Sequence, residues 1–229
     1  ERLPQGLRSS STIQMMVLQI VFNKETLNKF KNQVDKNFDI KHFQDNLLSF
    51  SDDFLYLAAS KEEVFSASEA IMFCLVHHGM KISFSKTAFF QQSYTFLGSL
   101  YDLTDRSIKL SKARTDAINN WPSPRSIAEI QSRLAQMSYF SSHLASFKIV
   151  GYPLYVLCRE GTMQNFGLVH LETFQNLKFL FKLCITLTIP DPDFQPVLSS
   201  DASSIGLSAC AMQLNPSSRR LEVISMLSR

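Results

Sequence analysis

Three features of this chain predict an α+β fold. Strand-patterned runs flank polar turns at Phe50 to Ala59 and again from Tyr94 to Leu110. Between and after them lie stretches whose apolar residues recur every three or four positions, the spacing of one face of a helix. Beyond a cluster of prolines (Pro190, Pro192, Pro196), strand-like runs follow one another to Leu227.

From the beginning, Leu3-Pro4-Gln5-Gly6-Leu7 is a turn signal, because proline presets one backbone angle and glycine permits a positive one or a close approach. Ser9, Ser10 and Ser11 offer caps for a helix carrying Ile13, Met16, Val17, Ile20 and Val21. Asn23 to Asn46 is polar, with Phe30, Val34 and Phe38 at i, i+4 and i+8, which predicts one more surface helix or a helical insertion. Phe50 to Ala59 reads as a hairpin. Lys61 to His78 reads as a helix with Val64, Ala67, Ile71, Leu75 and Val76 on one face and Gly79 as its stop.

Tyr94 to Tyr101 is a β region, followed by a polar turn at Asp102 to Arg106 and a short strand at Ile108 to Leu110. Ser111 caps a helix ending near Trp121; Pro122 and Pro124 break the chain, and Ser126 caps a second helix that buries Ile127, Ile130, Leu134, Met137 and Phe140. The pair is an αα-hairpin. Gly151 to Gly161 reads as a connector, Leu168 to Leu183 as a helix, and Val197 to Ser203, Gly206 to Leu214 and Leu221 to Leu227 as strands.

Composition narrows the functional classes only a little. With 229 residues the chain can bury a real core, and 45% hydrophobic with 19% charged residues excludes a disordered chain. A net charge of +3 means that a nucleic-acid partner has to be met by a local basic stripe, not by the whole surface. The four cysteines (Cys74, Cys158, Cys184, Cys210) form no Cys-x-x-Cys pair and read as reduced core residues of an intracellular protein. No run of about 18 apolar residues predicts a membrane span. The opening at Glu1, without an initiator Met or a signal peptide, reads as a chain cut from a longer one.

The chemistry concentrates at Phe50-Ser51-Asp52-Asp53, two adjacent acids between two apolar runs. A tight turn brings both carboxylates to one end of a hairpin, and carboxylate oxygens suit magnesium, a hard cation held by one or two acids plus substrate phosphates. An Asp-Asp pair also occurs in ordinary solvated turns, where its local hydrogen bonds favour it, so the surroundings have to decide. His77 and His78, at a helix end without spaced partners, read as surface or cap residues.

Six segments in order, Leu3-Pro4-Gln5-Gly6-Leu7, Phe50-Ser51-Asp52-Asp53, Gly79 through Lys86, Phe96-Leu97-Gly98, Trp121-Pro122-x-Pro124 and Ser200-Asp201-Ala202-Ser203, resemble the Pol polyprotein of retroviruses and gypsy-like LTR retrotransposons. The resemblance implies an RNA-directed DNA polymerase: the later part of a palm at 1–105, a helical thumb at 106–150, a connection at 151–194, and the opening strands of a ribonuclease H-like α/β domain at 195–229. Asp52 and Asp53 match the catalytic carboxylates, with Mg2+ or Mn2+ as cofactor, and Asp201 matches the first carboxylate of the ribonuclease H site. Pro4, Gln5 and Gly6 match the loop under template and nucleotide. Phe50 stands where the family usually has Tyr, Lys86 matches a lysine tied to pyrophosphate departure, and Phe96, Leu97 and Gly98 match the primer grip. Lys112, Arg114, Arg125 and Arg133 then become candidate phosphate contacts.

Implied partners are a primed RNA or DNA template, deoxynucleoside triphosphates and the rest of the polyprotein, in cytoplasmic particles or the nucleus. Departures from the family pattern set further expectations. The family's other polymerase aspartate lies upstream of the Leu-Pro-x-Gly loop and its further nuclease acids downstream, so the isolated chain is expected to be inactive. The segment from Gln14 to Phe50 is longer than usual for the family. A degenerate or domesticated, non-catalytic retroelement product is the alternative reading.

Overall fold

The computed structural model describes residues 10–50, 53–203 and 206–228. The Pro4-Gln5-Gly6 loop, Ser51 and Asp52 lie outside the described residues. The chain divides into two units, Glu1–Gln91 and Gln92–Arg229.

In the first unit, helices α1 (Ser10–Val21), α2 (Lys24–Gln33) and α3 (Ile40–Asn46) lead into a hairpin of β1 (Leu47–Phe50) and β2 (Asp53–Tyr56), followed by α4 (Lys61–His77). The polar stretch from Asn23 to Asn46, expected to form one more surface helix or a helical insertion, holds two helices. Local side chains set the break. The Asn23 carboxamide oxygen accepts the Thr26 N–H at 2.8 Å to start α2, and the Asp39 carboxylate accepts the His42 N–H at 3.0 Å to start α3. Between them the Asp35 backbone carbonyl takes the Phe38 N–H, so the chain turns after Val34.

This turn swings Phe38 back onto Phe30, edge to face at 4.8 Å, while Val34 is left 52% exposed. Phe30, Phe38 and Phe43 are all buried with Leu27, Ala70 and Cys74. The segment supplies core, not only surface. Helix α4 begins on Ser60, whose hydroxyl accepts the Glu63 N–H at 3.1 Å. It buries Ala67, Ala70, Cys74 and Leu75, whereas Val76, expected on the same face, is exposed. Its end is a Schellman motif. Gly79 has φ +70, its N–H donates to Val76 O at 2.9 Å, and Met80 N–H donates to Leu75 O at 2.9 Å.

The second unit opens with antiparallel β3 (Ser93–Phe96), β4 (Ser99–Asp102) and β5 (Ser107–Leu110). Helices α5 (Lys112–Asn119), α6 (Ile127–Ser138), α7 (Phe147–Val150), α8 (Tyr152–Glu160) and α9 (Leu168–Lys182) follow. Ser111 and Ser126 cap α5 and α6 as expected, accepting from Arg114 N–H at 3.4 Å and Glu129 N–H at 3.2 Å. The predicted connector from Gly151 to Gly161 is helix α8. Pro153 does not prevent it, because a proline in the first turn lacks an N–H that no helical carbonyl would have accepted. Its Leu154 and Leu157 join Met137, Phe147, Leu177 and Phe181 in a second core.

After α9 the chain returns to the first sheet through the two-residue β6 (Leu187–Thr188), paired with β5, and the sheet order is β3-β4-β5-β6. The strands β7 (Pro196–Ser203), β8 (Gly206–Asn215) and β9 (Arg220–Ser228) form a separate antiparallel sheet. Buried Gln213 fastens it: the amide donates to Asp191 O at 2.8 Å and to Phe194 O at 2.6 Å, and its oxygen accepts the Asp191 N–H at 2.8 Å. Arg106 bonds the Asp191 carboxylate and holds it below the usual carboxylate range.

Candidate functional site

Alternation along the β1–β2 hairpin separates an anchored face from a free tip. In register, Leu47 faces Tyr56 and Phe50 faces Asp53. Phe54 and Tyr56, two apart, share a face. Phe54 meets Phe22 edge to face at 5.5 Å, and Tyr56 stacks on Phe43 at 5.5 Å. At the other end Asp53 is exposed and Phe50 is 56% exposed. An acid and an aromatic ring are thus offered to solvent on a hairpin whose opposite end is packed into the core.

The packed end converges on Glu63. One carboxylate oxygen accepts the Tyr56 hydroxyl at 3.1 Å and lies 2.7 Å from His42 Nε2; the other accepts the Ala59 N–H at 3.0 Å. Burial pushes the Glu63 carboxyl up, but these donors outweigh it and hold the group below the ordinary glutamate range. The Tyr56 phenol moves the other way, raised by burial and then by the adjacent carboxylate. Sequence reasoning passed over Glu63 and His42. The Ser60-x-x-Glu63 spacing was the available signal, being that of a capping box.

Lys86 is exposed on the 3-10 turn Phe84–Lys86. His78 Nε2 lies 3.1 Å from the Thr26 hydroxyl, and His77 stacks on Phe73, so both histidines have local contacts at the helix end.

In the second unit, Phe96, Leu97 and Gly98 form the corner between β3 and β4. Leu97 and Gly98 carry φ of +52 and +85, the conformation of a two-residue hairpin turn that matches strand twist. A Cβ at Gly98 would also be crowded, 3.1 Å from Arg114 Nε and 3.2 Å from Phe140 Cζ, so that these side chains would have to give by a few tenths of an ångström. The Ser111 N–H donates to Gly98 O at 3.0 Å, which seats the corner on the start of α5.

Among the candidate phosphate contacts, Lys112 and Arg125 are exposed. Arg114 lies over the Phe140 ring at 5.5 Å. Arg133 is not a free cation: it stacks over Phe174 at 5.3 Å and Trp121 at 5.9 Å, donates to Pro122 O and pairs with Glu129. Asp201 is exposed on β7 opposite Ser208, its carboxylate accepting the Ala202 N–H at 2.9 Å. Among the described residues no three His, Cys, Asp or Glu side chains converge to hold a metal ion.

The α+β architecture, with Phe50 and Asp53 exposed on the β1–β2 hairpin, is a reverse-transcriptase fold. The structure superimposes over its full length on foamy viral protease-reverse transcriptase, with a TM-score of 0.67 at 21% identity and 36% of that chain covered in the form bound to ds DNA. A complex of the same protein with RNA/DNA hybrid matches at 0.65, with 28% covered. Residues 1–100 match the family described as reverse transcriptase (RNA-dependent DNA polymerase). The Gag-Pol polyprotein of feline leukemia virus is 28% identical over 190 residues, 83% of this chain and 10% of that protein. The Pol polyprotein of the Drosophila melanogaster transposon 297 is 25% identical over 213 residues, 93% of this chain and 18% of its own length. Residues 1–100 thus match the reverse-transcriptase family, and the chain is similar over most of its length to retroviral and LTR-retrotransposon Pol polyproteins, of which it spans a small fraction.

Proposed function

We propose that this segment carries the catalytic turn of an RNA-directed DNA polymerase acting on a primed template, with Asp52 and Asp53 as metal-binding carboxylates and Phe50 as the aromatic neighbour of the primer end. The observation that carries this reading is the exposed Phe50 and Asp53 tip on a hairpin anchored at its other end. An exposed carboxylate has the hard oxygen donors that magnesium or manganese prefers, so Asp53 fits the ion as one ligand of a set. Asp52 and Asp53 would hold such ions, whose chemistry there would be activation of the 3′-hydroxyl and stabilisation of the leaving pyrophosphate.

The chain's own part is positional. Phe50 offers a ring for stacking, which does not require the hydroxyl of a tyrosine. The Phe96-Leu97-Gly98 corner, stiffened by two positive-φ residues, holds the primer terminus, and exposed Lys112 and Arg125 meet phosphates. Pro4, Gln5 and Gly6 lie under template and nucleotide, and Lys86 assists pyrophosphate departure. In this reading 1–105 is palm, 106–150 thumb, 151–194 connection, and 195–229 opens a ribonuclease H-like domain with Asp201 as its first metal ligand. Structures of a relative of this fold with dsDNA and with RNA/DNA hybrid support a nucleic-acid partner.

The test is primer extension by the full Pol product containing this segment. Asp52→Ala is expected to lower kcat by at least about 100-fold, the scale of removing one preorganised electrostatic group. Extension by Asp52→Ala and Asp53→Ala at the parent rate would overturn the assignment. The 229-residue chain alone is expected not to extend a primer.

A further inference from the structure

We propose that Glu63 is a positioning residue for the Asp52-Asp53 turn, one carboxylate tying both strands of the hairpin to the helices beside it. The inference rests on the polymerase reading of that turn. Its physical basis is the shortness of the hairpin. Each strand has four residues, and an isolated two-stranded hairpin is marginal in water, so its placement has to come from outside the ladder.

Glu63 supplies that placement to each strand by a separate route. Tyr56 is the last residue of β2, and its hydroxyl donates to Glu63 at 3.1 Å. β1 starts at Leu47, directly after α3 ends at Asn46, so whatever fixes α3 fixes the origin of β1. His42 of α3 makes that link, with Nε2 2.7 Å from the same Glu63 oxygen. Asn46 closes the corner: its amide donates to His42 O at 2.9 Å and its carbonyl accepts the Leu57 N–H at 3.4 Å.

The second Glu63 oxygen, on the Ala59 N–H, fixes the link between β2 and α4, and the Ser60 hydroxyl fixes the Glu63 backbone. Leu47 and Tyr56 are opposite each other in the ladder, so the clamp closes at the base. Both strands run from this base toward the Phe50 and Asp53 end of the hairpin. Glu63 touches no reacting group in this scheme. Its effect is transmitted through the geometry of Asp52 and Asp53, where a displacement of about 1 Å can cost on the order of 100-fold in rate.

Primer extension by the full Pol product tests this, with rates referred to active-site-titrated enzyme. Glu63→Ala is expected to lower kcat about 10- to 100-fold with KM for nucleotide and for primer-template unchanged. Glu63→Gln is expected to recover most of that loss, because an amide oxygen still accepts the Tyr56 hydroxyl. Tyr56→Phe, which keeps the ring packing and removes one donor, is expected to fall between Glu63→Gln and Glu63→Ala. Hydrogen exchange of the 47–56 amides in this chain is expected to quicken in Glu63→Gln less than in Glu63→Ala. Unchanged kcat per active molecule in Glu63→Gln, Tyr56→Phe and Glu63→Ala, with only the amount of folded protein reduced, would overturn the proposal. Asp52→Ala in the same assay separates the two readings: activity retained there removes the polymerase reading, whereas loss there with parent-like Glu63 variants removes only this one.

Discussion

At the scale of single residues, burial decides which titratable groups are available for chemistry. Cys74 is fully buried and its thiol is pushed up to about 12, so it stays protonated and inert as a packing residue. The other three cysteines are half-buried. His143 is 3% exposed; Nδ1 lies 3.0 Å from Ile185 O, which requires the Nδ1–H tautomer, and the Ile185 N–H returns a bond to His143 O. Burial lowers its pKa, and the smaller effect of the Ile185 bond opposes this. A histidine held neutral in the fold titrates at about 6.5 once unfolded, so the unfolded chain takes up the proton first. The stability it confers is therefore complete above about pH 6.5 and declines as pH falls below that. Urea midpoints taken between pH 7.5 and 5.5 are expected to fall with pH in the parent, and His143→Gln is expected to start lower and to show a shallower fall. An identical pH slope in the variant would remove His143 as its source.

At the scale of elements, what the sequence made legible was what short-range chemistry fixes. Ser111 and Ser126 start their helices because a hydroxyl and an N–H three residues on need nothing else. Gly79 stops α4 for an equally local reason. The segment from Asn23 to Asn46 misled because Phe30, Val34 and Phe38 keep a helical spacing across a break that Asp35 and Asp39 impose. Strand β6 was invisible, since two residues carry no periodicity and their pairing with β5 is set by the intervening helices. The difference between an inserted surface helix and core is measurable. Phe30→Ala is expected to cost about 3–5 kcal/mol in equilibrium unfolding, as for a fully buried aromatic, and Val34→Ala no more than about 0.5 kcal/mol. Similar small effects at both positions would return the segment to the surface.

At the scale of the whole molecule, Phe50 to Asp53 could be proposed as a polymerase turn from sequence because its residue types and order are themselves the signal. Its support could not be, because Glu63, His42 and Tyr56 are brought together only by folding. The same holds for Arg133, a charge in the sequence and a core-edge stack in the fold. The buried core is also partitioned. One cluster of buried residues runs from Leu18 to Leu75 and the other from Leu110 to Phe181, each closed within its own unit. Two cores of this kind predict two cooperative blocks, and the chain carries a probe in each. Its one tryptophan, Trp121, packs against the second core, and Cys74 is buried in the first. Urea titrations following Trp121 fluorescence and site-resolved labelling of Cys74 are expected to give different midpoints. Phe30→Ala sharpens the test: it is expected to move the Cys74 transition to lower urea and leave the Trp121 transition in place. Coincident curves that shift together in Phe30→Ala would show one cooperative block in place of two.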